Sequence, residues 1–163
     1  MNKLTLCLAI LLSSTCIADA QTVPAKVTAL LNEAIKGWKP APGFCDGKKW
    51  VLTGDFDGNG RTDYLVRIKN GKSAKTMMLD VIAFLSLDDG SYQREGVLGD
   101  SFTGEMLRSS FSVIKKGTKI QLGEGEGEII TLKTDAASQY ICETDAVKTL
   151  VYENGMWRNI YEN

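Results

Sequence analysis

The chain has 163 residues, a formal net charge of −1 at neutral pH, 44% hydrophobic residues and no histidine. The near-neutral balance excludes binding to nucleic acid or anionic lipid that rests on charge alone. The missing histidine excludes Ser-His-Asp and Cys-His catalysis and His-containing zinc sites.

Residues 1–20 read as a secretory signal peptide. Lys3 supplies the positive n-region, Leu4 to Leu12 the apolar h-region, and Ala18-Asp19-Ala20 a small-residue cleavage site. The apolar run is too short to span a bilayer, which takes about 20 residues. Cys16 raises a lipoprotein alternative, but Ser13-Ser14-Thr15 before it make a poor lipobox. The expected product is a periplasmic or secreted domain of residues 21–163. In such a compartment the two remaining cysteines, Cys45 and Cys142, read as a disulfide.

Helical spacing of Val27, Leu30, Leu31, Ala34, Ile35 and Trp38 predicts a helix over 22–38, with Thr22 as its cap and Pro24 in its first turn. From Trp50 the pattern turns to strands. Segments 50–56 and 63–69 form a first hairpin. The run 76–87 is apolar on both faces except at Asp80 and Ser86, which suits a central strand. Asp88-Asp89-Gly90-Ser91 turns it into a strand over 92–97. Segments 110–114 and 119–122 flank another hairpin turn, and 128–133 is a further strand. Asn154-Gly155 joins the last pair, 149–153 and 156–161, through a type I′ turn. The expected fold is therefore α+β, an N-terminal helix packed on a mostly antiparallel sheet built from hairpins. Asp80 needs a partner if buried. Arg67 on a neighbouring strand, a cation and solvent are the choices. Trp38, Trp50 and Trp157 suit core packing better than a carbohydrate platform.

The loop GDFDGNGRTDYLV, 54–66, carries the clearest chemistry. Asp55, Asp57, Asn59, Arg61 and Asp63 occupy positions 1, 3, 5, 7 and 9, with Gly60 at position 6. Calcium takes six to eight oxygen ligands, and Arg61 would offer its carbonyl. Position 12 is Val66, not Glu, and the flanks are strands, so the loop is not an EF-hand. Water or a carboxylate from elsewhere would complete the shell. The segment resembles the FG-GAP/VCBS repeats of integrin-like β-propeller blades and of bacterial exported proteins. That resemblance implies Ca²⁺ at Asp55, Asp57, Asn59, the Arg61 carbonyl and Asp63. Propellers repeat the motif from blade to blade, and this chain holds one copy.

Glu124, Glu126 and Glu128 alternate with glycines and share one face if extended, which suits a solvated loop or edge strand, a basic partner patch, a second cation or a glycosidase-like carboxylate pair. The expected function is a calcium-stabilised exported binding domain without catalytic activity. It would act through an envelope or extracellular protein, as an inhibitor, immunity-type or accessory protein. The alternatives are a small carboxylate-dependent hydrolase or carbohydrate-active protein, and a purely structural or adhesive module.

Overall fold

Strands dominate the chain. The computed structural model describes residues 22–42, 49–70, 78–100, 109–122, 127–142 and 147–162. Among these residues one helix, α1 (Ala25–Ala34), precedes all the strands. The strands are β1 (Lys39–Pro40), β2 (Val51–Gly54), β3 (Asp63–Asn70), β4 (Met78–Ser86), β5 (Tyr92–Asp100), β6 (Ser109–Ile114), β7 (Lys119–Gln121), β8 (Ile129–Thr131), β9 (Ala136–Ile141), β10 (Val147–Glu153) and β11 (Met156–Glu162). They form three sheets, and every pairing among the described residues is antiparallel.

The α+β expectation is corrected by this arrangement. The fold is all-β-like, with, among the described residues, one ten-residue helix and strands divided among three sheets rather than gathered into one. The helix is shorter than its apolar stripe suggests. Pro24 takes the N-cap position with extended backbone, no side chain caps it, and Ile35 is already extended at φ −137°. Thr22 therefore does not start the helix.

Side-chain alternation explains how the sheets stack. The first sheet runs β1-β3-β4-β5, with β2 also on β3. Val66, Ile68, Ile82 and Phe84 project from one face and pack with Val27 and Leu31 of α1. Leu65, Val81 and Ala83 project from the other and pack with Phe111, Ala137 and Leu150 of the second sheet, ordered β11-β10-β9-β6. The second sheet repeats the device. Ala137 and Leu150 point inward, while their neighbours Ala136 and Val151 point outward against Ile120 and Leu132. The small β7-β8 sheet thus covers the outer face. The layers run helix, first sheet, second sheet, β7-β8. Period-2 alternation with both faces apolar is what a strand covered on both sides requires.

β4 is central, between β3 and β5, as its sequence implies. The Leu87–Ser91 turn closes on itself, with the Leu87 amide donating to the Ser91 carbonyl. Asn154 and Gly155 have φ of 53° and 77°, which supports the type I′ turn. The expected hairpin of 110–114 with 119–122 does not form. β6 pairs with β9, and β7 pairs with β8. Strand β9, AASQYI, has no hydrophobic run to announce it, because alanines suffice between two covering layers.

Asp80 and Arg67 do not share a face. Asp80 stands opposite Ile68, and Arg67 opposite Val81. Burial pushes the Asp80 carboxyl above its usual range. Arg67 is fully buried between the two large sheets. The three tryptophans pack partly buried against the cores, Trp38 and Trp50 beside each other on the helix side and Trp157 between the sheets.

Candidate metal centre

The connection from β2 to β3 folds over its own carboxylates. Gly54 leaves β2, and Phe56 drives its ring fully into the inter-sheet core, where it meets Trp157 at 6.0 Å between ring centroids. Anchored there, the loop turns through Gly58 and Gly60, both at φ +80°, a region that costs glycine nothing and other residues strain. The turn brings ligand atoms of Asp55, Asp57 and Asp63 within 4.8 Å of one another. This acidic group could hold a metal ion.

Each carboxylate has its own position fixed. Asp63, fully buried at the start of β3, accepts hydrogen bonds at Oδ2 from the amides of Phe56 at 2.9 Å and Asp57 at 3.4 Å. Its Oδ1 accepts from the Ser86 amide at 2.8 Å and hydroxyl at 3.1 Å. Burial pushes its carboxyl up, with the Asp57 charge adding to that, while the Ser86 and Phe56 amides pull it down. Asp55 Oδ2 accepts from the Gly60 amide at 3.1 Å. Its Oδ1 is buried and has no hydrogen-bond partner among the described residues. Asp57 accepts at Oδ1 from the Asn59 amide at 3.0 Å and at Oδ2 from Asn59 Nδ2 at 2.8 Å.

Asn59 braces the loop. Its Nδ2 also donates to the Ser86 carbonyl at 2.8 Å, and its Oδ1 accepts from the Arg61 amide at 2.8 Å. The Arg61 guanidinium points away to an ion pair with exposed Asp88. Tyr152 lies close enough that Asp57 and Asp63 add to the rise of its hydroxyl pKa, after burial and its hydrogen bond to Glu95.

Two participants carried little signal. Ser86, the second polar residue of the β4 run, ties the loop to the end of that strand. Asp135, between β8 and β9, reaches the loop from the second sheet. Its Oδ2 accepts from the Asp55 amide at 3.2 Å and from Lys115 Nζ at 2.8 Å, and its Oδ1 from the Lys116 amide at 3.0 Å. Burial opposes the charge of Asp135, but Lys115 and the Lys116 and Asp55 amides hold its carboxyl below the ordinary range. Asp55 and Asp135 lie 80 positions apart in the sequence, so only the fold joins them.

Glu128 is exposed beside β8, and its carbonyl accepts from the Leu122 amide. Residues 1–20, Cys45, Glu124 and Glu126 lie outside the described residues. Three carboxylate side chains in a glycine-turned loop are oxygen donors suited to a hard divalent cation. The orphaned Asp55 Oδ1 fits that use, because a buried polar atom without a partner is costly and an ion would satisfy it. No known protein family, no curated protein and no solved structure gives a significant match to this chain.

Proposed function

We propose that the chain is an exported binding domain stabilised by one Ca²⁺, without catalytic activity, acting through a protein partner of inhibitor, immunity-type or accessory kind. The observation that carries the metal half is the buried, partnerless Asp55 Oδ1 within the Asp55–Asp57–Asp63 group. The FG-GAP/VCBS resemblance supports calcium among the hard cations, with Asn59 and the Arg61 carbonyl completing the donors from the loop. A groove of about 490 Å³ supports the partner half. It lies between β8 and the outer face of the second sheet, floored by Ile130, Val151 and Ile160 and edged by Glu128, Lys133 and Arg158. Ile129, in its lining, is 64% exposed.

Calorimetric titration of chelator-treated protein should give one calcium per chain and a raised melting temperature. At free calcium about 100-fold above its Kd the added stability is about 2.7 kcal/mol. Asp55→Ala with Asp57→Ala should abolish both while leaving the fold intact at low temperature. The same natural and substituted proteins, used as bait in envelope extract with and without chelator, test the partner half. Absence of calcium heat removes the metal reading. Hydrolytic activity of the pure protein, lost on replacing the acidic residues, removes the non-enzymatic one. Export and the Cys45–Cys142 bond belong to the same reading. The intact mass of the mature protein should correspond to a chain starting at Gln21, and thiol titration after denaturation without reductant should find no free thiol.

A further inference from the structure

The metal loop belongs to the first sheet by sequence, yet it is fastened to the second. Two hydrogen bonds run in opposite directions across the junction, one to the Asp135 carboxylate and one between backbones. The Asp55 amide donates to Asp135 Oδ2 at 3.2 Å, and the Asp135 amide donates to the Asp55 carbonyl at 3.0 Å. The approach is close enough to demand glycines. A Cβ on Gly54 would lie 2.9 Å from Asp135 Oδ2, and one on Gly58 would lie 2.9 Å from Thr134 Cγ2. Asp135 is nearly buried, and its two oxygens already receive Lys115, the Lys116 amide and the Asp55 amide. It is therefore committed to donors, and it lies outside the group of three carboxylates that could share an ion.

We infer that Asp135 is a positioning residue for the metal loop, and that metal binding and the docking of the two sheets at this point are coupled. The inference rests on the calcium reading above. Asp55 supplies the first carboxylate of the loop and, among the described residues, the loop's one buried side-chain oxygen without a partner. The direction of its side chain depends on its backbone, and Asp135 grips that backbone at both the amide and the carbonyl. Holding the ligand-bearing residue from outside is what outer-shell partners do at metal sites, and removing such a partner costs about 10- to 100-fold in metal affinity. The coupling is reciprocal. An ion that fixes Asp55 also fixes the seat of Asp135, so the β8–β9 connection should tighten when metal binds.

Asp135→Asn tests this. The carboxamide has one acceptor oxygen, so it cannot serve the Lys116 amide on one side and the Asp55 amide and Lys115 ammonium on the other. Calcium affinity by calorimetry should fall about 10-fold or more. The melting temperature should fall further with calcium present than in chelator. A calcium Kd equal to that of the natural protein, with the melting temperature lowered equally in both conditions, would make Asp135 a plain structural residue and overturn the inference. A second measurement needs no substitution. Hydrogen exchange of the natural protein should show the Asp55 and Asp135 amides gaining protection together, about 10-fold or more, on adding calcium. Protection gained at Asp55 alone would also overturn the coupling. Failure of the natural protein to bind calcium at all would remove the metal reading and this inference with it, and so is distinguishable from either result.

Discussion

Replacing Asp63 by alanine should cost about 3 kcal/mol of stability and abolish metal binding. The side chain is fully buried and accepts from the Phe56 and Ser86 amides and the Ser86 hydroxyl. Alanine strands those donors, and each buried donor left without a partner costs about 1–3 kcal/mol. Removing a buried carboxylate also removes its desolvation penalty, which keeps the net loss below the sum. A fall in melting temperature of roughly 10 °C is expected for a domain of this size. The pH dependence has a definite sign. Burial raises the folded-state pKa of Asp63 above the ordinary carboxylate range. An acid raised in this way contributes most below its unfolded pKa, and that contribution is lost as pH rises through the folded value. In chelator, the gap between natural and substituted protein should therefore narrow as pH rises from the unfolded-state value through the folded one. With calcium, on the reading proposed above, it should widen instead, since the substituted protein loses a ligand for the ion. Denaturant titrations at several pH values check this. A gap that does not change with pH or calcium would show that Asp63 works only as a cap for the amides.

Arg67→Met should stabilise the protein by about 1–4 kcal/mol, the range seen when buried ions give way to apolar residues of similar volume. Arg67 has no exposed surface and lies in the layer shared by Leu65 and Val81. Nη1 donates to the Ser109 carbonyl at 3.1 Å, but Nε and Nη2 have no partner among the described residues. Burial alone pulls its pKa down to about 10, so it remains charged at neutral pH. Methionine keeps the length and fills the same space without the ion. Equilibrium unfolding in urea measures the change. A loss of stability greater than about 2 kcal/mol would show that the guanidinium is compensated and that its charge holds the sheets together.

The loop and the fold were legible to different degrees, for physical reasons. The spacing of Asp55, Asp57 and Asp63 reports a local turn, and local turns are written in adjacent residues. Strands β3, β4, β10 and β11 were readable because their alternation and their turn residues are also local. The layering was not. Strand β9 between two covering layers needs only small side chains, so Ala136 and Ala137 give no period to read. The pairing of β6 with β9 instead of β7 depends on the whole chain. The α+β expectation failed for a related reason. The apolar stripe from Val27 to Trp38 continues past the point where Ile35 leaves helical geometry, and side-chain spacing does not report that change. Asp135 could not be tied to the loop by any spacing, since no periodicity connects residues 80 apart. Asp80 illustrates the limit in reverse. The sequence marks it as odd, but only the register places it opposite Ile68 and away from Arg67.

The β6–β9 pairing also sets an order of difficulty for folding. Residues 115–135 intervene between Ile114 and its partner Ala136, whereas Asn154 and Gly155 alone separate the ends of the β10–β11 pair. Loop-closure entropy grows by about 0.6 kcal/mol per doubling of length, so a roughly tenfold longer loop costs about 2 kcal/mol more to close. Pairing β7 with β8 inside that loop shortens the free chain and recovers part of the cost. The excursion that looks like an ornament on the outer face thus lowers the entropic barrier to completing the inner one. It also ends at Asp135, so closing the longest connection in the second sheet is the same event that delivers the grip on the metal loop.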